Sequence, residues 1–407
     1  MDMKKMYKFK TFCAVLLSLL AFDSRAQISG TVTVNSASAT VAGINYQTFT
    51  ALAAALNSVG VNGPLVVNVV SGSGPYNEQV NFNQITGMSS TNTITINGNG
   101  CTISYNATVS TAPHTFMFSG ADYFTVNNLN MVGLGATYAL VCHLWSNSDN
   151  NTFNGCTFTA PLGGTSTTQV PFSLSGSGTS ATSVGSCGSN NTVNSSTVSG
   201  GYYNTVFYGN SVAPFNINNK ITNSYMVDYY VYGCYNVYCQ GTTVKGNVVE
   251  RMNRTNTSTC YGIYFSTGSI ANGLIEGNHI RRLYNSIPNS TNATYCIYLI
   301  ASASSGSENV VRNNIISDIN TSGAIYGIYF SGASFANAYH NTLSFDDQTS
   351  TAGLVYALYL TGSSCNARNN IVYISRTGTG AKYNIYLTGS NVNCKNNVLV
   401  NTATGGV

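Results

Sequence analysis

The stretch YGIYFSGASFANAYHNTLSF, residues 326–345, contains two short elements that recur through the second half of the chain. The first element has the form Tyr-x-aliphatic-Tyr-apolar. Its six copies occupy residues 235–239, 261–265, 295–299, 326–330, 356–360 and 383–387. The copies start 26 to 34 residues apart, and a repeat of that length indicates a protein built from stacked coils.

The second element is centred on an asparagine, which is Asn341 in the quoted stretch. An apolar or small residue stands three positions before this asparagine, and an aliphatic residue stands two positions after it. The six asparagines are Asn247, Asn278, Asn314, Asn341, Asn370 and Asn397. Because successive side chains of a strand point to opposite faces, we expect each coil to bury one side of its strands and to bend at the asparagine.

Short strands with a two-residue period, repeated once per coil, predict an all-β parallel β-helix. Frequent glycines and β-branched residues argue against a helical repeat, and the pattern of propeller blades is absent from the sequence. The motifs resemble the right-handed parallel β-helix proteins of the pectate-lyase-like superfamily. That resemblance implies that the six asparagines form a ladder at a tight corner between two sheets. The composition also resembles that of exported surface proteins of Bacteroidota.

The first half of the chain is less regular, and the whole divides into three predicted regions. Residues 93–407 are predicted to form the β-helix domain, with about eleven coils. Its early asparagine corners are expected in the stretches 124–131, 151–158, 191–198 and 215–221. Residues 27–92 are predicted to form an N-terminal cap region, in which the Ala/Leu-rich stretch 48–60 forms a capping helix.

The third region, residues 1–26, has the features of a secretory signal peptide: a lysine-rich start, an apolar run and a small residue before Gln27. We therefore expect a secreted or cell-surface monomer with no stable membrane insertion. Five of the 16 basic and two of the 12 acidic residues lie in this segment, which leaves 11 and 10 in the mature chain. This near-neutral balance argues against a nucleic-acid partner.

Ten cysteines remain outside the predicted signal peptide, and none forms a CxxC pair, so a zinc site has little support. Most of them are expected to be small buried residues. Cys234 and Cys260 each precede a tyrosine of the repeated motif, which would make them neighbours on adjacent coils. The two would form either a disulfide or a stacked pair of free thiols.

The repeat turns the second tyrosine of each motif into one outward column. The column consists of Tyr238, Tyr264, Tyr298, Tyr329, Tyr359 and Tyr386. Aromatic rings bind the apolar faces of sugars, and the phenol hydroxyl adds a polar contact, so this column is a candidate carbohydrate-binding surface. The alternative is that neighbouring tyrosines stack on each other and stabilise the sheet.

A second outward column lies two positions before each corner asparagine, and it contains Lys245, Glu276, Arg312, Tyr339, Arg368 and Lys395. Its four cations are the remaining candidate carbohydrate-binding residues, because they would meet an acidic polysaccharide. The alternative is a solvated surface in which Glu276 relieves the repulsion between its neighbours.

An enzymatic role has less support from the residues. Lyase and glycosidase chemistry of the pectate-lyase type uses clustered or facing carboxylates, whereas after Asn219 only Asp346 and Asp347 are adjacent. We assign no catalytic residue, metal or cofactor. The sequence favours an exported, non-catalytic β-helix that binds carbohydrate or serves as a cell-surface adhesion or structural module. The alternative is a polysaccharide lyase or glycoside hydrolase that acts on an acidic polysaccharide.

Overall fold

The computed structural model describes residues 27–268, 270–351 and 353–406, so the predicted signal peptide lies outside the described residues. The described chain forms three parallel sheets and one helix. They wind into a right-handed parallel β-helix of about 13 turns. The predicted fold is confirmed, and the expected number of coils, about eleven, is too low.

Each coil crosses the three sheets in the same order, and the sheets contain 14, 12 and 11 strands. The strands of sheet 1, in spatial order, are β2 (Asn45–Tyr46), β1 (Ile28–Val34), β3 (Val61–Val69), β6 (Ile94–Asn97), β9 (Phe124–Asn127), β12 (Thr152–Asn154), β15 (Thr192–Asn194), β18 (Lys220–Thr222), β21 (Thr243–Lys245), β24 (Leu274–Glu276), β27 (Asn309–Arg312), β30 (Ala336–Tyr339), β33 (Asn366–Arg368) and β36 (Asn393–Lys395). Those of sheet 2 are β4 (Tyr76–Asn77), β7 (Thr102–Tyr105), β10 (Asn130–Gly133), β13 (Thr157–Thr159), β16 (Thr197–Ser199), β19 (Tyr225–Val227), β22 (Val248–Glu250), β25 (His279–Arg281), β28 (Ile315–Ser317), β31 (Thr342–Phe345), β34 (Ile371–Ile374) and β37 (Val398–Asn401). Those of sheet 3 are β5 (Val80–Asn83), β8 (His114–Ser119), β11 (Ala139–Trp145), β14 (Gln169–Leu174), β17 (Tyr203–Tyr208), β20 (Tyr232–Val237), β23 (Cys260–Phe265), β26 (Thr294–Leu299), β29 (Ile325–Phe330), β32 (Val355–Leu360) and β35 (Lys382–Leu387).

The core consists of inward side chains that repeat from coil to coil. In sheet 3, Ile263, Ile297, Ile328 and Leu358 pair in register along four coils, and all four are fully buried. Burial of each such side chain contributes about 1.5–3 kcal/mol. A slip of one residue would turn the apolar set of a strand outward, so the same residues also hold the register.

The N-terminal end of the solenoid carries helix α1 (Phe49–Val59), as the sequence predicts. Thr48 caps it by accepting a hydrogen bond from the Ala51 N–H, and the Gly60 N–H closes the other end on the Leu56 carbonyl. The helix packs against β1, β2 and β5, which are the first strands of sheets 1 and 3. Within the described residues, no helix is long and apolar enough to cross a bilayer.

Sheet 1 begins with β2, β1 and β3, which all lie inside the predicted cap region of residues 27–92. The cap region and the solenoid therefore share one sheet. The boundary at residue 92 stays a prediction.

The asparagine ladder forms at the corner between sheets 1 and 2. Asn314 shows its geometry: Nδ2 donates to Asn341 Oδ1 at 2.9 Å and to the Ile275 carbonyl at 3.0 Å. Asn314 Oδ1 in turn accepts from the Asn278 backbone N–H at 3.0 Å and from Asn278 Nδ2 at 2.9 Å. The same pattern connects all six predicted asparagines, so each buried amide is satisfied by the next coil.

The earlier coils use other residues at this corner. The Ser224 N–H donates to Asn247 Oδ1 at 2.9 Å, and the Ser196 N–H donates to Ser224 Oγ at 3.0 Å. The early asparagine-rich stretches supply a separate ladder at the corner where the chain enters sheet 1. Its members are Asn151, Asn191 and Asn219. At the corner between sheets 1 and 2, either an asparagine Oδ1 or a serine Oγ can thus accept the backbone N–H of the preceding coil.

The predicted pairing of Cys234 with Cys260 is wrong. Cys234 pairs in register with Ile263, and Cys260 pairs with Thr294, so the two cysteines occupy different positions in the coil. All ten cysteines of the described residues are free thiols. The predicted burial of most of them is confirmed.

Candidate functional site

The tyrosines of the repeated motif lie on the outer side of sheet 3, where they form two rows along the solenoid. We call these 13 residues the tyrosine face. Row 1 consists of Tyr203, Tyr232, Tyr261, Tyr295, Tyr326, Tyr356 and Tyr383. Row 2 consists of Tyr235, Tyr264, Tyr298, Tyr329, Tyr359 and Tyr386. The register of the sheet places each tyrosine beside its counterpart on the next coil.

Row 1 is not predicted from strict strand alternation, which places the first tyrosine of a motif on the same side as the core residues. In β29, Gly327 and Ile328 are both buried, whereas Tyr326 and Tyr329 are both half-buried. The alternation therefore breaks once in each strand, and both tyrosines reach the outer surface. The available signal was the three-residue spacing of the tyrosines, together with the small residue that follows the first one in most copies.

The first copy of the motif corrects the predicted site. Residues 232–237, YGCYNV, align with the later copies, so the true register begins three residues before the predicted YNVYC. Tyr235 consequently occupies row 2 in place of Tyr238. Tyr238 follows the end of β20 with a φ of 61° and meets the Tyr208 ring edge-to-face at 6.1 Å.

The rings of the tyrosine face stack on each other from coil to coil. In row 1, successive ring centroids are 4.5 to 5.4 Å apart and the ring planes differ by 3 to 15°. In row 2, the spacing is 4.3 to 5.4 Å, and the last ring, Tyr386, stands at 90° to Tyr359. The alternative of self-stacking is thus confirmed. Because neighbouring rings cover the ring faces, the outer edges, which carry the hydroxyls, are the accessible part.

Burial raises the pKa of several hydroxyls of the tyrosine face, so these stay protonated well above neutral pH. Burial raises the pKa of Tyr264 to about 12, and the neighbouring tyrosines add to the shift. Burial likewise raises the pKa of Tyr298 and Tyr326. A protonated phenol both donates and accepts a hydrogen bond, as sugar hydroxyls do.

The tyrosine face is free of charge along most of its length. Strands β17, β20, β23, β26, β29 and β32 contain no Asp, Glu, Lys or Arg. The last strand, β35, begins with Lys382, but this side chain is buried and donates from Nζ to the Thr404 carbonyl at 3.0 Å. The surface therefore presents phenols without a fixed charge among them.

The N-terminal boundary of the tyrosine face is a small apolar cluster outside the main core. Leu140, Val170, Ala181 and Val206 are buried together on the outer side of sheet 3, and tyrosines of the first exposed coils pack against them. The loop that carries Ala181 thus covers β11 and β14. The two tyrosine rows begin at the coils that the loop with Ala181 does not cover.

The predicted column of charged residues also forms, but it lies on sheet 1. Glu276 forms an ion pair with Lys245, with Nζ 2.9 Å from Oε2, and Oε1 accepts a hydrogen bond from Arg312 Nε at 2.8 Å. These two contacts hold the pKa of the Glu276 carboxyl below its usual value. The tyrosines and the cations of the predicted site thus lie on different sheets and do not share a cleft.

Three arginines of the loops that leave sheet 2 are buried rather than available to a ligand. They are Arg251, Arg254 and Arg376. The Arg251 guanidinium lies 5.0 Å from the ring centroid of Tyr284, and that of Arg254 lies 4.9 Å from the ring of Tyr230. Arg376 donates to the Gly323 carbonyl at 2.9 Å. These side chains tie each loop to its neighbours, and no pattern in the sequence separates them from surface arginines.

Two carboxyl groups, those of Asp122 and Asp149, lie near each other: burial, with a smaller contribution from Asp149, raises the pKa of Asp122. Other carboxylates are engaged by arginines. Glu250 accepts from Arg281 at 2.9 Å, and Asp318 accepts from Arg282 at 2.7 Å. Within residues 27–268, 270–351 and 353–406, no group of three or more His, Cys, Asp or Glu side chains could hold a metal ion.

No family model matches the chain, and no curated protein matches it in sequence. Among solved structures, the surface adhesin PfbA of Streptococcus pneumoniae aligns with a TM-score of 0.49 at 12% identity, covering 88% of both chains. The pectate lyase Pel9A aligns with a TM-score of 0.41 at 13% identity, covering 93% of this chain and 81% of that one. The GH136 lacto-N-biosidase of Eubacterium ramulus aligns with a TM-score of 0.40 at 9% identity, covering 97% and 71%. Similarities of this size concern the fold alone and assign no ligand or activity to this chain.

Proposed function

We propose that this protein is an exported, non-catalytic β-helix that binds carbohydrate through its tyrosine face and acts as a surface adhesion or structural module. The observation that carries the proposal is the pair of outward tyrosine rows on sheet 3, of which row 1 spans seven coils and row 2 spans six. Export is inferred from residues 1–26 alone.

The chemistry of the surface supports binding of a sugar. Each phenol offers one O–H donor and acceptor lone pairs, which match the hydroxyls of a carbohydrate. The stacking of Tyr295 on Tyr326, at 4.5 Å and 3°, restricts both rings before any ligand arrives. A rigid surface loses little side-chain entropy on binding, so weak contacts add up to useful affinity.

The carboxylates support a binding role over a catalytic one. Glycosidases need two facing carboxyl groups, and calcium-dependent lyases need a cluster of them. Here Glu250, Glu276 and Asp318 are each engaged by a basic side chain on a neighbouring coil or loop. None of them belongs to the strands that carry the tyrosine face.

The experiment is affinity electrophoresis of the mature chain in gels that contain one polysaccharide each. We expect retardation in at least one gel, and we expect it to be lost when Tyr329 and Tyr359 are both replaced by alanine. Tyr225→Ala is the matched control, because Tyr225 is 50% exposed but lies on sheet 2. Circular dichroism of the variants checks that they fold. If folded wild-type protein binds no polysaccharide, or if the double variant binds as tightly, the proposal is wrong.

A further inference from the structure

The distribution of charge separates the tyrosine face from the rest of the surface. Six successive strands of sheet 3 carry no ionisable acid or base other than tyrosine and cysteine. The ion pairs of the described residues lie instead on sheets 1 and 2 and on the loops after sheet 2. A ligand on the tyrosine face therefore meets no cation that would neutralise carboxylate or sulfate groups.

The rows also have a direction. They run along the solenoid axis, and their rings repeat once per coil at 4.5 to 5.4 Å in row 1. This repeat is set by the spacing of hydrogen-bonded strands, about 4.8 Å. A pyranose ring in an extended polysaccharide has about the same length between its bridging oxygens as one coil has height. A polysaccharide that lay across the rows would not place successive sugar rings on successive coils.

The two rows lie side by side within each coil. The Tyr261 and Tyr264 ring centroids are 5.2 Å apart, and those of Tyr356 and Tyr359 are 4.7 Å apart. Two phenols per coil thus form a narrow band, and a single sugar ring that lies on it reaches tyrosines of both rows. The band is wide enough for one polymer chain.

We infer that the tyrosine face binds a neutral, linear polysaccharide that lies along the solenoid axis, with one sugar ring per coil. This inference rests on the proposed function and narrows it to a class of ligand. An acidic polysaccharide would instead need the cations of sheet 1, where Glu276 pairs with both Lys245 and Arg312 and offsets one of their two charges. Contacts between neutral hydroxyls are also insensitive to salt, unlike contacts between charges.

The first test compares neutral polymers, such as β-glucan, mannan and xyloglucan, with acidic ones, such as polygalacturonate and alginate, at low and high salt. We expect retardation by at least one neutral polymer, equal at both salt concentrations, and at least a tenfold weaker interaction for the Tyr329→Ala/Tyr359→Ala variant. Binding only to acidic polymers, weakened by salt or by Lys245→Ala/Arg312→Ala, would overturn this inference and leave carbohydrate binding in place. Failure to bind any polymer would overturn the proposed function itself.

The second test uses oligosaccharides of the neutral polymer that binds, with affinity measured by calorimetry. Each added sugar reaches one more coil, so we expect Kd to fall about two- to tenfold per unit, as for one added hydrogen bond. The gain should end near seven units, because row 1 spans seven coils. A dimer that binds as tightly as a heptamer would contradict the orientation along the axis.

Discussion

The ring centroids of Tyr329 and Tyr359 lie 4.3 Å apart, and their planes differ by only 5°. Each ring therefore covers one face of the other, although the two residues are 30 positions apart in the chain. Aromatic pairs of this kind contribute about 0.5–1.5 kcal/mol beyond the burial of their area. The same tyrosines thus stabilise the stack of coils and supply the hydroxyls of the outer surface.

Replacement of Tyr329 should separate these two roles. Tyr329→Ala removes the stacking on Tyr298 and Tyr359, so we expect a loss of about 1–3 kcal/mol in the free energy of unfolding. Tyr329→Phe keeps the rings in contact and should cost less than about 1 kcal/mol. Urea unfolding of the two variants measures the difference. Equal losses would mean that the hydroxyl, and not the stacking, holds Tyr329 in place.

Alkaline pH should destabilise the protein through the tyrosine face. Burial raises the pKa of Tyr264 to about 12 from 10.0, and it also raises the pKa of Tyr203 and Tyr232. A raised pKa means that the stabilisation is complete below pH 10, the unfolded value, and is lost as the pH rises through the folded value. We expect the urea midpoint to begin falling near pH 9, where unfolded thiols ionise while burial raises the pKa of Cys156 to about 11, and to fall more steeply above pH 10, where unfolded tyrosines ionise. Tyr264→Phe should make that fall less steep, and an unchanged slope would speak against this assignment.

The asparagine ladder should tolerate serine better than alanine. Asn314→Ala leaves the Asn278 N–H and the Ile275 carbonyl without their partner, at about 1–3 kcal/mol for each buried group. Asn314→Ser should cost less, because Ser224 and Ser196 accept the equivalent bond in earlier coils. Thermal unfolding of both variants tests the order. A serine variant as unstable as the alanine variant would show that the amide N–H groups dominate.

The charged column of sheet 1 should contribute little to stability. Lys245 and Arg312 are about half exposed, at 55% and 45%, so solvent screens their contacts with Glu276. We expect Glu276→Gln to lower the free energy of unfolding by less than about 1 kcal/mol, with the difference shrinking at high salt. Urea unfolding at two salt concentrations measures it. A salt-independent loss would point to the hydrogen bonds of Glu276 instead of its charge.

Acid should act through a buried histidine. His143 is fully buried between Ser173 Oγ and the Ser177 carbonyl, each 2.7 Å from a ring nitrogen, and burial lowers its pKa to about 4. Burial also lowers the pKa of His114 to about 4. A lowered pKa means that this stabilisation is complete above pH 6.5 and is lost as the pH falls toward 4. The thermal midpoint should drop over that interval, and His143→Gln should flatten the drop. A profile with the same slope in the variant would exclude His143 as a cause.

The corner asparagines and the inward aliphatic residues could be predicted because both are local patterns. Strand parity places Ile328 and Phe330 on the core side without reference to any other part of the chain. The spacing of Asn314 and Asn341 follows from the length of one coil. Row 2 from Tyr264 onward follows from the same parity.

The first copy of the motif could not be aligned in this way. Both 232–237 and 235–239 contain two tyrosines three residues apart, because Tyr232, Tyr235 and Tyr238 are equally spaced. Only the hydrogen-bonded register with β23 selects the earlier copy. The expected contact of Cys234 with Cys260 failed for the same reason.

The sequence by itself determined that this chain winds into coils, where each coil bends at its asparagine and that the aliphatic residues of each motif enter the core, since a two-residue period is a property of the strand alone. The tertiary structure decided which tyrosines meet, because pairing across about 30 residues depends on the lengths of the intervening loops. It also decided that Tyr326 joins Tyr329 on the outside, through a break in alternation that parity does not show. Finally, it separated the tyrosines from the cations by placing them on different sheets. The uncharged tyrosine face, on which the proposed function rests, therefore forms only when successive coils stack in register.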